Sequence, residues 1–297
     1  MITGSPMQTA PLEPRHAAAS IYVAPSLAAA LDALDEYSGA GAPFAGGTWI
    51  MRSPIRHEPL RAHYVAIGRI AELGAVRIEA DVVAIGAAVT HAALAAALAD
   101  LPEFAGLAAA AGRSANPAIR SMATIGGNLA TSDFAAADCV PALLCLDAEI
   151  EVAGREGRER ITLEHFLKIR STLAPGRLIT QIVVPRSGRK TAHARLTLRK
   201  AGDYPVAIVS LSVSVDAAGR VQAARIAVGS VERVARRWQR LETALIGHPL
   251  DAAEAARTAT ELADEFVGRD SVDAPAWYRL SVLPGLIRRA AITALGA

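Results

Sequence analysis

The chain has 297 residues, 52% of them hydrophobic, with 31 lysines and arginines against 29 acids and only two cysteines. That is enough apolar chain for a core divided among two or three lobes, and a formal net charge of +2 excludes a broad electrostatic footprint for nucleic acid. Cys139 and Cys145 are too few to ligate an iron–sulfur cluster, and residues 1–14 lack the basic start and long apolar run of a signal peptide or membrane span, so the chain reads as cytoplasmic, with no membrane span.

Ser26, Leu27, Leu31 and Leu34 predict a capped helix closed by Gly39. A short strand ending at Phe44, the pair Gly46-Gly47, a polar proline-containing connection and an apolar run over 64–67 complete a small β-α-β-like lobe (15–73) behind the tail of residues 1–14. Residues 75–89 alternate and turn at Ala80-Asp81, Thr90 caps an alanine-rich helix, and a second such helix covers 103–111. After a turn at 124–128 the stretch 140–152 is strongly apolar, Gly154 and Gly157 make a hairpin loop, and a strand over 177–184 stopped by Pro185 ends a second lobe (74–186). Beyond a basic linker at 187–190, residues 206–215 and 221–228 read as paired strands joined by Asp216-Ala217-Ala218-Gly219, with helices over 252–266 and 276–295 forming a third lobe (191–297). The fold class is α+β. Arg233, Arg236, Arg237 and Arg240 crowd one segment.

Two glycine pairs carry chemistry. In Phe44-Ala45-Gly46-Gly47-Thr48-Trp49-Ile50 and in Thr124-Ile125-Gly126-Gly127-Asn128-Leu129-Ala130, glycine lets the main chain adopt positive φ and lets a phosphate approach without Cβ interference, while Thr and Asn add polar side chains. Either alone is equally a structural turn; together, from separate lobes, they can clamp a pyrophosphate. No Gly-x-Gly-x-x-Gly or Gly-x-x-x-x-Gly-Lys-Ser/Thr spacing occurs, so neither a nicotinamide fingerprint nor a kinase-type ATP site is indicated. His57, His63, His91 and His165 have no metal spacing, and no catalytic residue is expected.

The run Ala45-Gly46-Gly47-Thr48, then Ile119-Arg120 leading into Ala123-Thr124-Ile125-Gly126-Gly127-Asn128-Leu129-Ala130, Asp138 with Pro141-Ala142-Leu143-Leu144, Leu173-Ala174-Pro175-Gly176, Gly202-Asp203-Tyr204, Tyr278-Arg279 and Arg288-Arg289 resembles, over nearly the whole chain, the FAD-binding subunits of the molybdenum hydroxylases. That family includes xanthine, carbon monoxide, nicotinate and aldehyde dehydrogenases. The resemblance implies a three-lobed flavin fold of the vanillyl-alcohol-oxidase-like type, two α/β lobes holding FAD between them and a C-terminal antiparallel sheet with helices. It implies pyrophosphate contacts from Ala45, Gly46, Gly47, Thr48 and Trp49 and from Thr124, Ile125, Gly126, Gly127 and Asn128, and an adenine contact from Ile179. Asp138, one residue later than its counterpart in relatives, is the cofactor-bonding acid or a helix N-cap, with Asp133 as competitor. Ser114 falls where relatives carry a larger residue on the other side of the adenine, Leu196 where they tend to carry a lysine flanked here by Arg195, Arg199 and Lys200, and Trp49 where they carry aspartate or serine. The implied assembly binds FAD non-covalently on this chain, with molybdopterin and two-iron, two-sulfur clusters on partner subunits, and delivers electrons to an external acceptor. A self-sufficient flavin oxidase and a flavin-free scaffold are the alternatives.

Overall fold

In a computed structural model, which describes residues 19–199 and 204–296, the chain folds around three sheets. The first is parallel, in the order β1 (Ser20–Val23), β3, β2, with helix α1 (Leu27–Tyr37) between β1 and β2 (Gly41–Phe44). Ser26 caps α1 by accepting from the Ala29 amide at 3.2 Å, and Leu27, Ala30, Ala33 and Leu34 are buried. The helix ends at Ser38, which takes up a φ of 46°, so Gly39 lies in a following 3-10 turn and is not the cap. The connection to β3 (His63–Ala66) holds a 3-10 helix, Ile50–Arg56, where an irregular link was expected.

The second sheet is antiparallel throughout, in the order β4 (Val76–Ile78), β5 (Val82–Gly86), β8, β6, β7. Between β5 and β6 run α2 (His91–Ala97), α3 (Ala105–Arg113), α4 (Pro117–Arg120), α5 (Ile125–Ala130) and α6 (Cys139–Cys145). The expected turn at 124–128 is the start of α5, with the Thr124 hydroxyl accepting from the Gly127 amide at 3.2 Å. Residues 140–152 divide between α6, buried at all seven positions, and β6 (Glu149–Gly154), because Asp147 adopts a φ of 53° and ends the helix; an unbroken apolar run does not itself distinguish buried helix from buried strand. The hairpin β6–β7 (Gly157–Thr162) leads to α7 (Leu163–Ile169), which the sequence reading omitted, and β8 (Leu178–Pro185).

The third sheet is ordered β12, β11, β10, β9 and is antiparallel. Strand β9 (Lys190–Thr197) begins where the basic linker ends and was not read from the sequence. It packs against both α3 and the C-terminal helix, so it buries alanine, threonine and histidine on two faces and has no clean apolar alternation. β10 (Pro205–Val215) and β11 (Val221–Gly229) follow, then β12 (Arg236–Arg237), α8 (Gln239–Leu245) and α9 (Ala252–Glu261). The single helix expected over 276–295 is broken at Val282, ahead of Pro284, into α10 (Ala276–Ser281) and α11 (Leu283–Leu295). The crowded arginines are individually matched: Arg233 with Asp133, Arg236 with Glu232 and Glu265, Arg237 with Glu242, Arg240 with Asp264. The N-terminal tail, Lys200 and Gly202-Asp203 lie outside the described residues. No helix among the described residues is long and apolar enough to cross a membrane.

Candidate functional site

A cavity of about 680 Å³ opens where loops from all three sheets meet, within the size range of small-molecule sites. Of the residues singled out from the sequence, Ala45, Gly46, Gly47, Thr48, Trp49, Thr124, Gly126, Gly127, Asn128, Asp138 and Ile179 line it, as do Ser114 and Arg195. Ile125 does not: it is fully buried in the core of the second sheet.

The first glycine pair packs on the chain just ahead of the second, and the second packs on the chain beyond β5. A Cβ on Gly46 would fall 1.7 Å from the Met122 carbonyl oxygen, and one on Gly126 would fall 2.7 Å from the Ala87 oxygen, so neither position admits a side chain. Gly47 holds a φ of 68° over the Phe44 ring, which is where positive φ is needed in this pair of motifs. Gly127 is different. It sits in the first turn of α5 with ordinary helical backbone, and a Cβ there would meet only the Thr124 Oγ1, at 3.0 Å. Glycine costs a helix about 1 kcal/mol relative to alanine, so its presence beside the cavity, with no protein backbone crowding it, fits a ligand that must come close to the main chain.

The amides divide in the same way. Those of Ile125, Gly126, Gly127 and Asn128 are spent on Val89 O, Ala87 O, Thr124 Oγ1 and Thr124 O, at 2.9, 2.9, 3.2 and 2.9 Å. The expectation of two open amide nests is corrected at this motif: its N–H groups hold the segment in place. The amides of Gly46, Gly47, Thr48 and Trp49 donate to no described residue and remain open for an anion. The Asn128 side chain has a buried Oδ1 without a partner among the described residues.

Asp138 stands at the start of α6 but its side chain caps nothing; the buried carboxylate pairs with Arg195 Nε at 2.9 Å and has His193 Nε2 at 3.5 Å. Asp133 is exposed and faces Arg233. His91, which sequence reasoning passed over, is 3% exposed and lines the cavity. Its Nδ1 lies 2.8 Å from Ser114 Oγ, and that hydroxyl donates its hydrogen to Ala111 O at 3.0 Å. A hydroxyl has a single hydrogen, so Nδ1 must carry the imidazole proton and Nε2, buried without a partner, is a bare acceptor. Burial, helped by Arg120 and opposed by Asp138, lowers the His91 pKa to about 4 and keeps the ring neutral.

Five arginines line the cavity, Arg52, Arg61, Arg170, Arg177 and Arg195, against two aspartates, Asp133 and Asp138. Arg170 is tied to the end of α5 through Leu129 O at 2.6 Å. An aromatic cluster joins the three parts of the chain: Trp49 lies 4.9 Å from Phe134, which lies 5.1 Å from Tyr204, whose hydroxyl is bonded by Arg52. The Arg56 guanidinium stacks 4.0 Å from the Trp49 ring. Phe134, Arg52, Arg170 and His91 were not singled out from the sequence; only their arrival at one cavity marks them. Open amides, a positive lining and a close-approach glycine suit a dinucleotide pyrophosphate, and aromatic and aliphatic walls suit its rings, so the residues fit FAD.

This is the architecture of a flavin-binding protein in which loops of separate sheets enclose one long cofactor. Residues 16–187 match the family described as FAD binding domain in molybdopterin dehydrogenase, and residues 192–294 match the CO dehydrogenase flavoprotein C-terminal domain. The chain is 33% identical over 238 residues to the 6-hydroxypseudooxynicotine dehydrogenase complex subunit alpha of Paenarthrobacter nicotinovorans, with 78% of this chain and 79% of that one covered. It is 31% identical over 279 residues to the carbon monoxide dehydrogenase medium chain of Afipia carboxidovorans, covering 89% and 92%. The fold superposes on a chain of Cu,Mo-CO dehydrogenase with a TM-score of 0.85 at 28% identity, covering 94% and 98% of the two chains. The chain belongs to the FAD-binding medium subunits of the molybdenum hydroxylases, and is the FAD subunit of an oxidoreductase of that kind.

Proposed function

We propose that FAD lies non-covalently along this cavity and that the chain relays electrons from a two-iron, two-sulfur subunit, fed by a molybdopterin subunit that hydroxylates the organic substrate, to an external acceptor in the cytoplasm. The observation that carries the reading is Gly127, a helical glycine beside the cavity whose added Cβ would meet no backbone, in a cavity also lined by four residues with unengaged amides. The amides of Gly46, Gly47, Thr48 and Trp49 and the Thr48 hydroxyl donate to phosphate oxygens, Gly127 admits the pyrophosphate, and Asn128 bonds it from the other side. Ile179 packs on the adenine. Asp138, held by Arg195, accepts from a cofactor hydroxyl, and His91 Nε2 accepts from a second hydroxyl or amino donor. Arg52, Arg61, Arg170 and Arg177 offset the phosphate charge. Bound FAD supplies the redox chemistry; the chain binds, orients and shields it. Neither cysteine lines the cavity, and both are buried free thiols whose pKa values burial pushes up, which supports a non-covalent cofactor.

The purified chain should be yellow and release all its flavin on acid precipitation, with mass spectrometry identifying FAD. Flavin retained on the protein pellet, or FMN in the supernatant, would contradict the pyrophosphate clamp. An isolated chain that oxidised a small organic substrate at enzyme-like turnover would replace the relay with a self-sufficient oxidase.

A further inference from the structure

The third sheet meets the second lobe through polar side chains. Thr191, His193 and Arg195 alternate along β9, and Ser212 and Ser210 stand opposite Thr191 and His193 on β10, so all five share one face. That face is covered by α3 and α6, and all of these residues except Arg195 are buried. Packing alone would be served by aliphatic residues, as on the opposite face, where Ala192, Ala194, Val209 and Leu211 lie against α11. His193 carries the polarity across the seam. Its Nδ1 lies 2.9 Å from Ser210 Oγ, and that hydroxyl makes no other bond among the described residues. The serine hydrogen therefore goes to Nδ1, which leaves the imidazole proton on Nε2. Nε2 is buried, makes no hydrogen bond, and faces Asp138 Oδ1 at 3.5 Å. Arg195 brings its Nε to the same oxygen at 2.9 Å.

We infer that His193 is the positioning residue of Asp138. From the third sheet, His193 and Arg195 hold Oδ1 and so fix the rotation of the carboxylate, leaving Oδ2 to accept from the cofactor hydroxyl; the inference rests on the proposed role of Asp138. Two features carry it. Asp138 lines the cavity yet caps nothing, and among the described residues no other side chain pairs with it, so its orientation is set from the third lobe. A buried N–H turned away from every acceptor but one costs free energy that a leucine at the same place would not, and that one acceptor is a cavity-lining carboxylate. Ser210 is 1% exposed and does not line the cavity, so the series Ser210, His193, Asp138 activates no nucleophile. It orients a ligand-binding group from behind.

The test replaces each end of the imidazole separately in the full chain. His193→Gln sets an amide N–H where Nε2 stands, and His193→Asn sets an amide oxygen where Nδ1 stands, which keeps the Ser210 bond and loses Asp138. Both should lower Tm by similar amounts. FAD affinity, read by fluorescence quenching, should stay within about twofold of the wild type in His193→Gln and fall about tenfold or more in His193→Asn. In an Asp138→Ala background, itself weakened, His193→Asn should cost no further affinity. Equal affinities in the two histidine variants, or a His193→Asn loss that persists without Asp138, would reduce His193 to a packing residue and leave the proposed function standing. A wild-type chain that takes up FAD no better than Asp138→Ala would overturn the proposed role of Asp138 and this inference with it.

Discussion

Gly127→Ala separates what the protein needs from what its ligand needs. The position is helical, and the added methyl meets only Thr124 Oγ1, at 3.0 Å, a contact the threonine can relieve by moving a few tenths of an ångström. Removing the helical glycine should therefore stabilise the ligand-free fold by up to about 1 kcal/mol, a rise of up to about 1.5 °C in Tm for a chain of this size. The same methyl occupies the space through which the pyrophosphate reaches α5. Displacing the phosphate far enough to lose one charge-assisted hydrogen bond costs about 1.5–3 kcal/mol, or roughly 10- to 150-fold in FAD affinity. Thermal melts of the flavin-free chain and titration of FAD by fluorescence quenching give the two numbers, which should move in opposite directions. Gly127→Val should exaggerate the second effect for steric reasons alone, since the backbone here has no positive φ for a β-branched residue to resist. If Gly127→Ala bound FAD within twofold of the wild type, the pyrophosphate would not approach this wall and the assignment of the cavity would fail.

Other perturbations test other parts of the reasoning. Gly46→Ala should lower both quantities, because moving a Cβ from 1.7 Å to at least 3.0 Å from Met122 O pushes the two glycine segments apart; about 1–3 kcal/mol of overpacking is expected, and Tm and FAD affinity should fall together. His91 titrates near 6.5 when unfolded and near 4 in the fold, so between those values the unfolded chain binds the proton and the native one does not. Wild-type stability should therefore drop by up to about 3 kcal/mol as pH falls from 6.5 to 4, a loss that His91→Gln should lack in denaturant titrations across that range. Arg279 is wholly buried and bonded to Arg269 O at 3.0 Å, Ser230 O at 3.1 Å and Ser271 Oγ at 2.7 Å. Arg279→Leu orphans these acceptors and should cost on the order of 3 kcal/mol of stability, read as a lower Tm, with FAD affinity of the still-folded protein unchanged.

What the sequence disclosed follows the range of the forces involved. Helix α1 was legible because its cap and its apolar spacing are local, and β10 and β11 were legible as long apolar runs around a tight turn. Strand β9 was hidden because its burial is imposed by α3 on one face and α11 on the other, which lets small and polar residues such as Thr191 and His193 stand where a strand read alone would show valine or isoleucine. The site divides along the same line. Glycine pairs announce themselves in a sequence, and nine of the ten contacts expected from the two motifs line the cavity, as do Asp138 and Ile179, which the family resemblance implied. The exception, Ile125, belongs to the motif as a spacer whose side chain anchors α5 in the core while its neighbours face the cavity. His91, Arg170 and Phe134 carry no local signature, and their partners Ser114, Leu129 and Trp49 lie 23, 41 and 85 positions away.

The specificity of the glycine motifs comes from a constraint internal to the protein as much as from the cofactor. Three of the four glycines are demanded by the chain itself: Gly46 by the Met122 carbonyl, Gly47 by its φ, Gly126 by Ala87. With its amides spent on Val89, Ala87 and Thr124, the second motif is rigid, and it is against this rigid segment that the first turn leans. The first turn can then leave the amides of Gly46 to Trp49 unbonded without collapsing onto them, since its conformation is held by Gly46 packing on Met122, by Gly47 over Phe44 and by bonds to its carbonyls, from Met51 N to Gly47 O at 2.9 Å and from Arg52 N to Trp49 O at 3.0 Å, rather than through its own amides. An open anion site thus depends on a closed neighbour. Loss of the second motif would cost the first its shape even where no ligand atom touches both, which is why the two pairs form one unit although 78 residues separate Gly46 from Thr124.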